Sequence, residues 1–340
     1  MAVPTLNLAL QGGGAHGAFT WGVLDALLAS GRCHPGAVSG TSAGAMNALA
    51  LAHGWMEGGP EGAREALTRL WHAVAAGVPD GTLVLAGSDA LAPRLTPLAQ
   101  WMLHWTHYLA PEHANPLDLH PLRDLLHQQF DFERLRRECP LPLYIAATQA
   151  NTGRLRLFRE HELTPDMVLA SACLPTLFRP TWIDGEPYWD GGYSANPPVL
   201  PLLLDEHARD TLLVLLMPRR YPSTPRSAAD IHARTLDLAF NAPLLTELRQ
   251  LGHWQAQARR GWWPALRRSE RLLRAGRFHL LDGGEALAHQ APHSRLAVQR
   301  QYFEALRDLG RAETQRWLDG PGQHVGHTET ADLNALFGGA

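Results

Sequence analysis

The sequence contains no lysine: all 30 of its basic residues are arginine. That absence excludes a Ser–Lys dyad, a P-loop lysine and a Schiff-base lysine. Cysteine is scarce, with only Cys33, Cys139 and Cys173 in the chain. Three widely spaced thiols make neither a disulfide framework nor a zinc pattern, and they read as small apolar fillers. No uninterrupted apolar run reaches the roughly 18 residues that a transmembrane helix requires. The opening "MAVPTLNLAL" lacks a charged start, and its apolar run is too short for a secretory signal. A formal net charge of −3 supplies no global field that would argue for nucleic acid. The expected compartment is the cytoplasm, with room for peripheral contact at a membrane.

What is present describes a soluble globular chain, with 45% hydrophobic and 19% charged residues. At 340 residues it can bury a sizeable core, as one large α/β domain or a domain with an appendage. The start reads as strand, loop, helix, strand, loop, helix. "TLNLAL" is a short buried strand broken by "QGGG"; Val23, Leu24, Leu27 and Leu28 then repeat at helical spacing until Gly31. "AVSG" is a second strand, and a helix begins after Ser42. Two strands joined through a helix imply a right-handed crossover and a parallel pair.

Further along, "LPLYIAATQA" and "RLRLFRE" read as a hairpin closed by "NTG". Thr164, Pro165 and Asp166 form a helix start, with Thr164 as N-cap. "PTWIDGEPYW" is a second hairpin turning at Asp184-Gly185. "TLLVLLMP" is a wholly apolar strand suited to a sheet covered on both faces, and "RFHLL" is a late strand candidate. The expected domains are a catalytic core over 1–217, a mainly helical region over 218–320, and a loose tail over 321–340. Within the core, residues 79–117 read as an insertion or lid.

Two glycine motifs carry chemistry. "GGGAHG" at 12–17 fits G-x-G-x-x-G, the dinucleotide fingerprint. That reading also needs a carboxylate at the end of the next strand, about 20 residues on, and the strand ends in Val38-Ser39-Gly40. The same loop can instead present backbone N–H groups to a developing oxyanion. "GTSAG" at 40–44 is a G-x-S-x-G elbow, in which the turn into a helix leaves no room for side chains beside the serine. Both turns open on one edge of a parallel sheet, so a nucleophile faces a row of donors.

Serine needs a base. The chain has 18 histidines, yet none sits in a motif that singles it out, so a Ser-His-Asp triad remains an alternative without a named histidine. Asp190 in "YWDGGYSANPP" is the stronger candidate, because Gly191 and Gly192 allow the backbone to turn and aim the carboxylate at the sheet edge. A direct hydrogen bond in a dry site would let this weak base act. A second Asp-Gly-Gly, at Asp282, reads as a plain turn.

The order and spacing of "GGGAHG", "GTSAG" and "DGG", with "ASACLPTLFRPTWIDGEPYWDGGYSANPP" leading to the aspartate, resemble the patatin-like phospholipase family over roughly residues 5–217. The resemblance implies a three-layer α/β/α fold with a mainly parallel sheet and a Ser–Asp dyad that hydrolyses lipid esters through an acyl-enzyme. It implies Ser42 as nucleophile, Asp190 as base, and Gly12, Gly13, Gly14 and Ala43 as oxyanion-hole amides. Gly17, Gly40, Gly44, Gly191 and Gly192 are auxiliary, and no metal or organic cofactor is needed. His16 stands where the family often has Arg or Lys. The substitution implies a weaker anion-binding role for that side chain and a pH-sensitive activity. The partner is a lipid ester. A non-catalytic lipid-binding module on the same scaffold is a further alternative.

Two segments have a composition suited to lipid. "LAQWMLHWTHYLA" at 98–110 reads as a lid, an interfacial anchor or an ordinary buried helix. Residues 258–277 carry seven Arg and one Glu, and read as a basic membrane-facing stretch or as a solvated helix face.

Overall fold

A computed structural model describes residues 3–338, apart from 79–81, 83, 86–88, 106–110, 115–119, 205–206, 222, 261–266 and 289. Strand β1 (Thr5–Leu10) runs into a glycine loop, a short 3-10 turn and helix α1 (Gly17–Ser30), and Gly31 in the left-handed region ends that helix. Strand β2 (His34–Gly40) leads to α2 (Ala43–Ala76), which kinks at Gly58 and Gly59. The next stretch holds a two-residue-strand hairpin, β3 (Val84–Leu85) with β4 (Arg94–Leu95), and helices α3 (Pro97–Trp105), α4 (Pro111–Ala114), α5 (Pro121–Gln129) and α6 (Phe132–Glu138).

Strands β5 (Leu143–Gln149) and β6 (Leu155–Phe158) pair antiparallel, as the hairpin pattern predicts. Helix α7 (Pro165–Ser171) starts under Thr164, whose hydroxyl accepts from Met167 N. Strands β7 (Thr181–Ile183) and β8 (Glu186–Asp190) form the second hairpin, with Asp184 and Gly185 both at positive φ in its turn. Then follow α8 (Leu200–Leu204), β9 (Asp210–Leu215), α9 (Ala228–Arg260), α10 (Arg268–Ala275), β10 (Arg277–Asp282), α11 (Gly283–Leu287), α12 (Arg300–Asp319) and α13 (Leu333–Phe337).

Eight strands make one mixed sheet in the order β10-β9-β1-β2-β5-β8-β7, with β6 also on β5. The five strands from β10 to β5 are parallel, while β6, β7 and β8 pair antiparallel. Strand β9 is buried throughout, which explains the apolar run from Leu212 to Leu215. Alternation in β1 feeds two cores: Leu6, Leu8 and Leu10 enter the one that includes α1, α2 and α12, and Ala9 enters the one built with α8, α9 and α13. The result is helix, sheet, helix in layers. Burial of Phe19, Trp21, Tyr302 and Phe303 between α1 and α12 contributes about 1.5–3 kcal/mol for each side chain of this size.

The chain leaves β1 toward β2 on one side, whereas β9, on the other side of β1, leads away to β10. Strand order therefore reverses between β1 and β9, and the crevice at their carboxyl ends is where open α/β sheets bind ligands.

The tail expectation is corrected over its described residues. Leu333 and Phe337 of α13 are buried against α9, Asp332 caps α13, and the N–H groups of Thr330 and Ala331 donate to Phe278 O. Gly-rich composition concealed a short helix anchored by two apolar side chains.

Of the two segments with a composition suited to lipid, residues 98–105 form most of α3, with Leu98 and Trp101 exposed, and 106–110 lie outside the described residues. In 258–277, α10 buries none of its side chains, and 261–266 lie outside the described residues. Among the described residues no helix is long and apolar enough to cross a membrane.

Candidate active site

Ser42 sits between β2 and α2 with φ 55° and ψ −123°. For a non-glycine residue this backbone is strained by of order 1–3 kcal/mol, and such strain concentrates at functional turns. The flanking glycines are there for space. A Cβ on Gly40 would lie 2.4 Å from Gly44 O, and one on Gly44 would lie 2.1 Å from Leu10 O. Any side chain at either position would push β1, β2 and α2 apart. Ser42 is half-buried, and its N–H donates to Ser171 Oγ at 3.0 Å. Thr41 Oγ donates to Ala195 O at 2.8 Å, which ties the elbow to the loop after Asp190.

Asp190 ends β8, opposite Ala147 of β5, and is fully buried. Its Oδ1 accepts from Gly192 N at 2.8 Å, so the Asp-Gly-Gly turn fixes the carboxylate. Thr148 Oγ donates to the Asp190 carbonyl at 2.9 Å and holds the backbone. Burial pushes the carboxyl pKa up to about 7, opposed by the Gly192 N–H and by the Ser42 hydroxyl. Ser42 is thus near enough to favour the carboxylate, although Asp190 Oδ2 has no aligned hydrogen-bond partner. A loose contact of this kind is common in sites without substrate.

The first glycine loop divides its roles. The Gly12 N–H donates to Asn196 Oδ1 at 2.7 Å and is occupied. The expectation that Gly12 supplies an oxyanion amide is corrected on that ground: a side-chain acceptor already holds the group. Gly12 instead packs against Ser42, since a Cβ there would lie 2.9 Å from Ser42 Cβ. The N–H groups of Gly13, Gly14 and Ala43 have no acceptor among the described residues. Gly17 packs under the elbow, where a Cβ would lie 2.6 Å from that of Ala43. Gly191 adjoins β5, because a Cβ there would meet Ala146 O at 2.2 Å.

His16 is buried, and its Nε2 lies 2.8 Å from Ser294 Oγ. Burial first, and then the Arg295 charge, lower its pKa to about 3. The imidazole is neutral across the physiological range, so the expected pH sensitivity does not arise from His16.

The two Asp-Gly-Gly turns share one local geometry. Asp282 Oδ1 accepts from Gly284 N at 2.9 Å, but its Oδ2 is paired with Arg219 at 2.6 Å, at the end of edge strand β10. Environment separates the two carboxylates: one is dry and unpaired, the other neutralised by a guanidinium. Among the described residues no histidine hydrogen-bonds to Ser42 or Asp190. Nor is there among them a group of three or more His, Cys, Asp or Glu side chains placed to hold a metal ion.

Sequence reasoning missed Asn196 and Ser171. Both lie inside stretches that lead to or follow the aspartate, but neither has a signal of its own. Their partners, Gly12 and Ser42, are 184 and 129 residues away.

The family model described as patatin-like phospholipase matches residues 8–203, more than half of the 340. Among solved structures, the chain is similar to the crystal structure of VipD from Legionella pneumophila, with 17% identity and a TM-score of 0.40 over 92% of this chain. The chain spans 66% of that structure's length. No curated protein matches this chain.

Proposed function

Because the chain belongs to the patatin-like phospholipase family, a family of lipid acyl hydrolases, we propose that it cleaves carboxylic ester bonds of lipids with a Ser42–Asp190 dyad. The observation that carries this reading is the fully buried Asp190 carboxylate, with one oxygen unpartnered, beside a serine on a strained elbow. A carboxyl held near 7 is matched in basicity to proton transfer at neutral pH.

In this reading Asp190 takes the Ser42 proton as Oγ bonds to the ester carbonyl carbon. The N–H groups of Gly13, Gly14 and Ala43 stabilise the oxyanion, a contribution worth about 2.7–4 kcal/mol per donor in comparable sites. Collapse breaks the bond to the alcohol, which leaves with the proton from Asp190. Water then attacks the acyl-enzyme, gives its proton to Asp190, and the acid departs as the Ser42 hydroxyl is restored. No histidine is required.

Lipid access is read at α3, where Leu98 and Trp101 are 56% and 60% exposed. The amphipathic indole of Trp101 favours an interface, and Leu98 adds exposed apolar surface beside it. The test is hydrolysis of a p-nitrophenyl acyl ester by wild type and a folded Ser42→Ala variant. Loss of hydrolysis in the variant supports the reading; full retention refutes Ser42 as the nucleophile, and absence of hydrolysis in wild type leaves the binding-module alternative.

A further inference from the structure

Behind the glycine loop lies a cavity of about 640 Å³ that does not include Ser42 or Asp190. It occupies the crevice at the carboxyl ends of β1 and β9, where strand order reverses. His16 and Leu216, which follow those two strands, line it together with the first turns of α9. Its volume falls in the range of about 300–1,000 Å³ typical of small-molecule sites.

Three arginines line this space, Arg226, Arg234 and Arg295. Arg295 pairs with Asp237, which also accepts from Tyr221 Oη at 3.1 Å, so that carboxylate is already neutralised. Arg234 Cζ sits over the Tyr221 ring, 3.5 Å from its centroid, and the guanidinium donates to Ser223 O at 3.3 Å. Arg226 is exposed and has no ion pair among the described residues. Asp230, the other acid at the rim, accepts from Ser227 Oγ. Hydroxyls of Ser223 and Thr224 add neutral donors, and Leu216, Pro218 and Leu287 make an apolar wall. His16 Nδ1 is buried and unpartnered beside this space.

The cavity is wired to the loop that carries the candidate oxyanion donors. The 3-10 helix Pro292–Leu296 supplies Arg295 to the cavity and Ser294 to His16. The Arg295 carbonyl lies 2.4 Å from where a Cβ on Gly14 would sit, so only glycine allows this seat. An occupant drawing on Arg295 therefore acts on the element that backs Gly14.

We propose that this cavity binds a phosphate ester, with Arg226 and Arg234 gripping the phosphoryl oxygens and the apolar wall covering the attached carbons. Planar guanidinium forks match a multi-oxygen anion, and the space exceeds what bare phosphate fills. The phosphoryl group arrives either on a lipid whose ester reaches Ser42 or on a soluble metabolite that sets the glycine loop. The first source rests on the proposed hydrolase function; the binding site itself does not.

The experiment has two arms. In the first, glycerol 3-phosphate, inorganic phosphate and glycerol are titrated by calorimetry into the full-length Ser42→Ala protein. The same titration is run on Ser42→Ala carrying Arg226→Ala, and on Ser42→Ala carrying Arg226→Ala with Arg234→Gln. Saturable binding of glycerol 3-phosphate, weakened at least about tenfold by the double arginine change and absent for glycerol, is expected. In the second, kcat/KM is compared for acylglycerol 3-phosphate and the monoacylglycerol of the same chain, with and without the arginine changes. A preference for the phosphorylated lipid that the arginine changes abolish assigns the site to a lipid head group. Equal rates with binding intact assign it to a soluble ligand. Absence of both binding and preference, or binding that the arginine changes leave intact, overturns the proposal. Failure of hydrolysis in wild type refutes the proposed function alone, because the calorimetric arm still decides the site.

Discussion

The backbone N–H of Gly12 donates to Asn196 Oδ1 at 2.7 Å, across 184 residues of chain. Asn196 in turn donates from Nδ2 to Phe240 O at 3.2 Å, so one buried amide joins the glycine loop, the Asp190 loop and α9. Asn196→Ala removes both bonds and strands a buried donor. The expected cost is about 1–3 kcal/mol of stability, measured by urea unfolding. A fall in kcat larger than the rise in KM is expected too, because the proposed mechanism has the loop's donors act in the transition state. Unchanged stability and kinetics would show that the amide is incidental.

In the proposed mechanism Asp190 sets the pH dependence. Its folded pKa is raised to about 7, above the unfolded value near 3.8. The unfolded chain therefore releases this proton first, and the stabilising contribution present at acid pH is lost as pH rises through about 7. Activity moves the opposite way, since the base must be ionised: kcat/KM rises with pH to a plateau above about 7. Asp190→Asn is expected to be inactive yet to gain a few degrees in Tm over wild type at pH 8. A thermal shift series from pH 5 to 8 checks the sign.

Backbone strain at Ser42 gives a separable signal. Ser42→Gly relieves the positive-φ cost and removes the nucleophile. The variant is expected to be more stable by about 1–3 kcal/mol and devoid of esterase activity. A destabilised Ser42→Gly protein would show that the elbow is not strained.

Asp282 offers a matched control. Asp282→Asn keeps an acceptor for Gly284 N but weakens the pair with Arg219, a partly exposed contact worth about 0–1 kcal/mol. Activity is expected to stay within about twofold of wild type, whereas Asp190→Asn loses orders of magnitude. Equal losses in the two variants would mean that the base has been misassigned.

The parts of this structure legible in the sequence are those written by local rules. The apolar run of β9, the Thr164 cap, the positive-φ turn at Asp184-Gly185 and the glycine-flanked Ser42 each show in a few adjacent residues. The parts that were not legible depend on distant pairing. Nothing near Gly12 indicates that Asn196 will take its N–H, and nothing near Asp282 indicates that Arg219, 63 residues away, will pair with it. Helix α13, at five residues, is too short for a periodic signal, so its Gly-rich flanks dominated the reading. The His16 shift needed Arg295 and a buried setting, neither visible from position 16 alone.

The central claim is that Ser42 is activated by Asp190, and fluorophosphonate labelling followed by peptide mapping tests it most directly. The account predicts an adduct on Ser42 in wild type, none on that peptide in Ser42→Ala, and labelling slowed by orders of magnitude in Asp190→Asn. An adduct on a different serine, or wild-type labelling of Asp190→Asn, would contradict it.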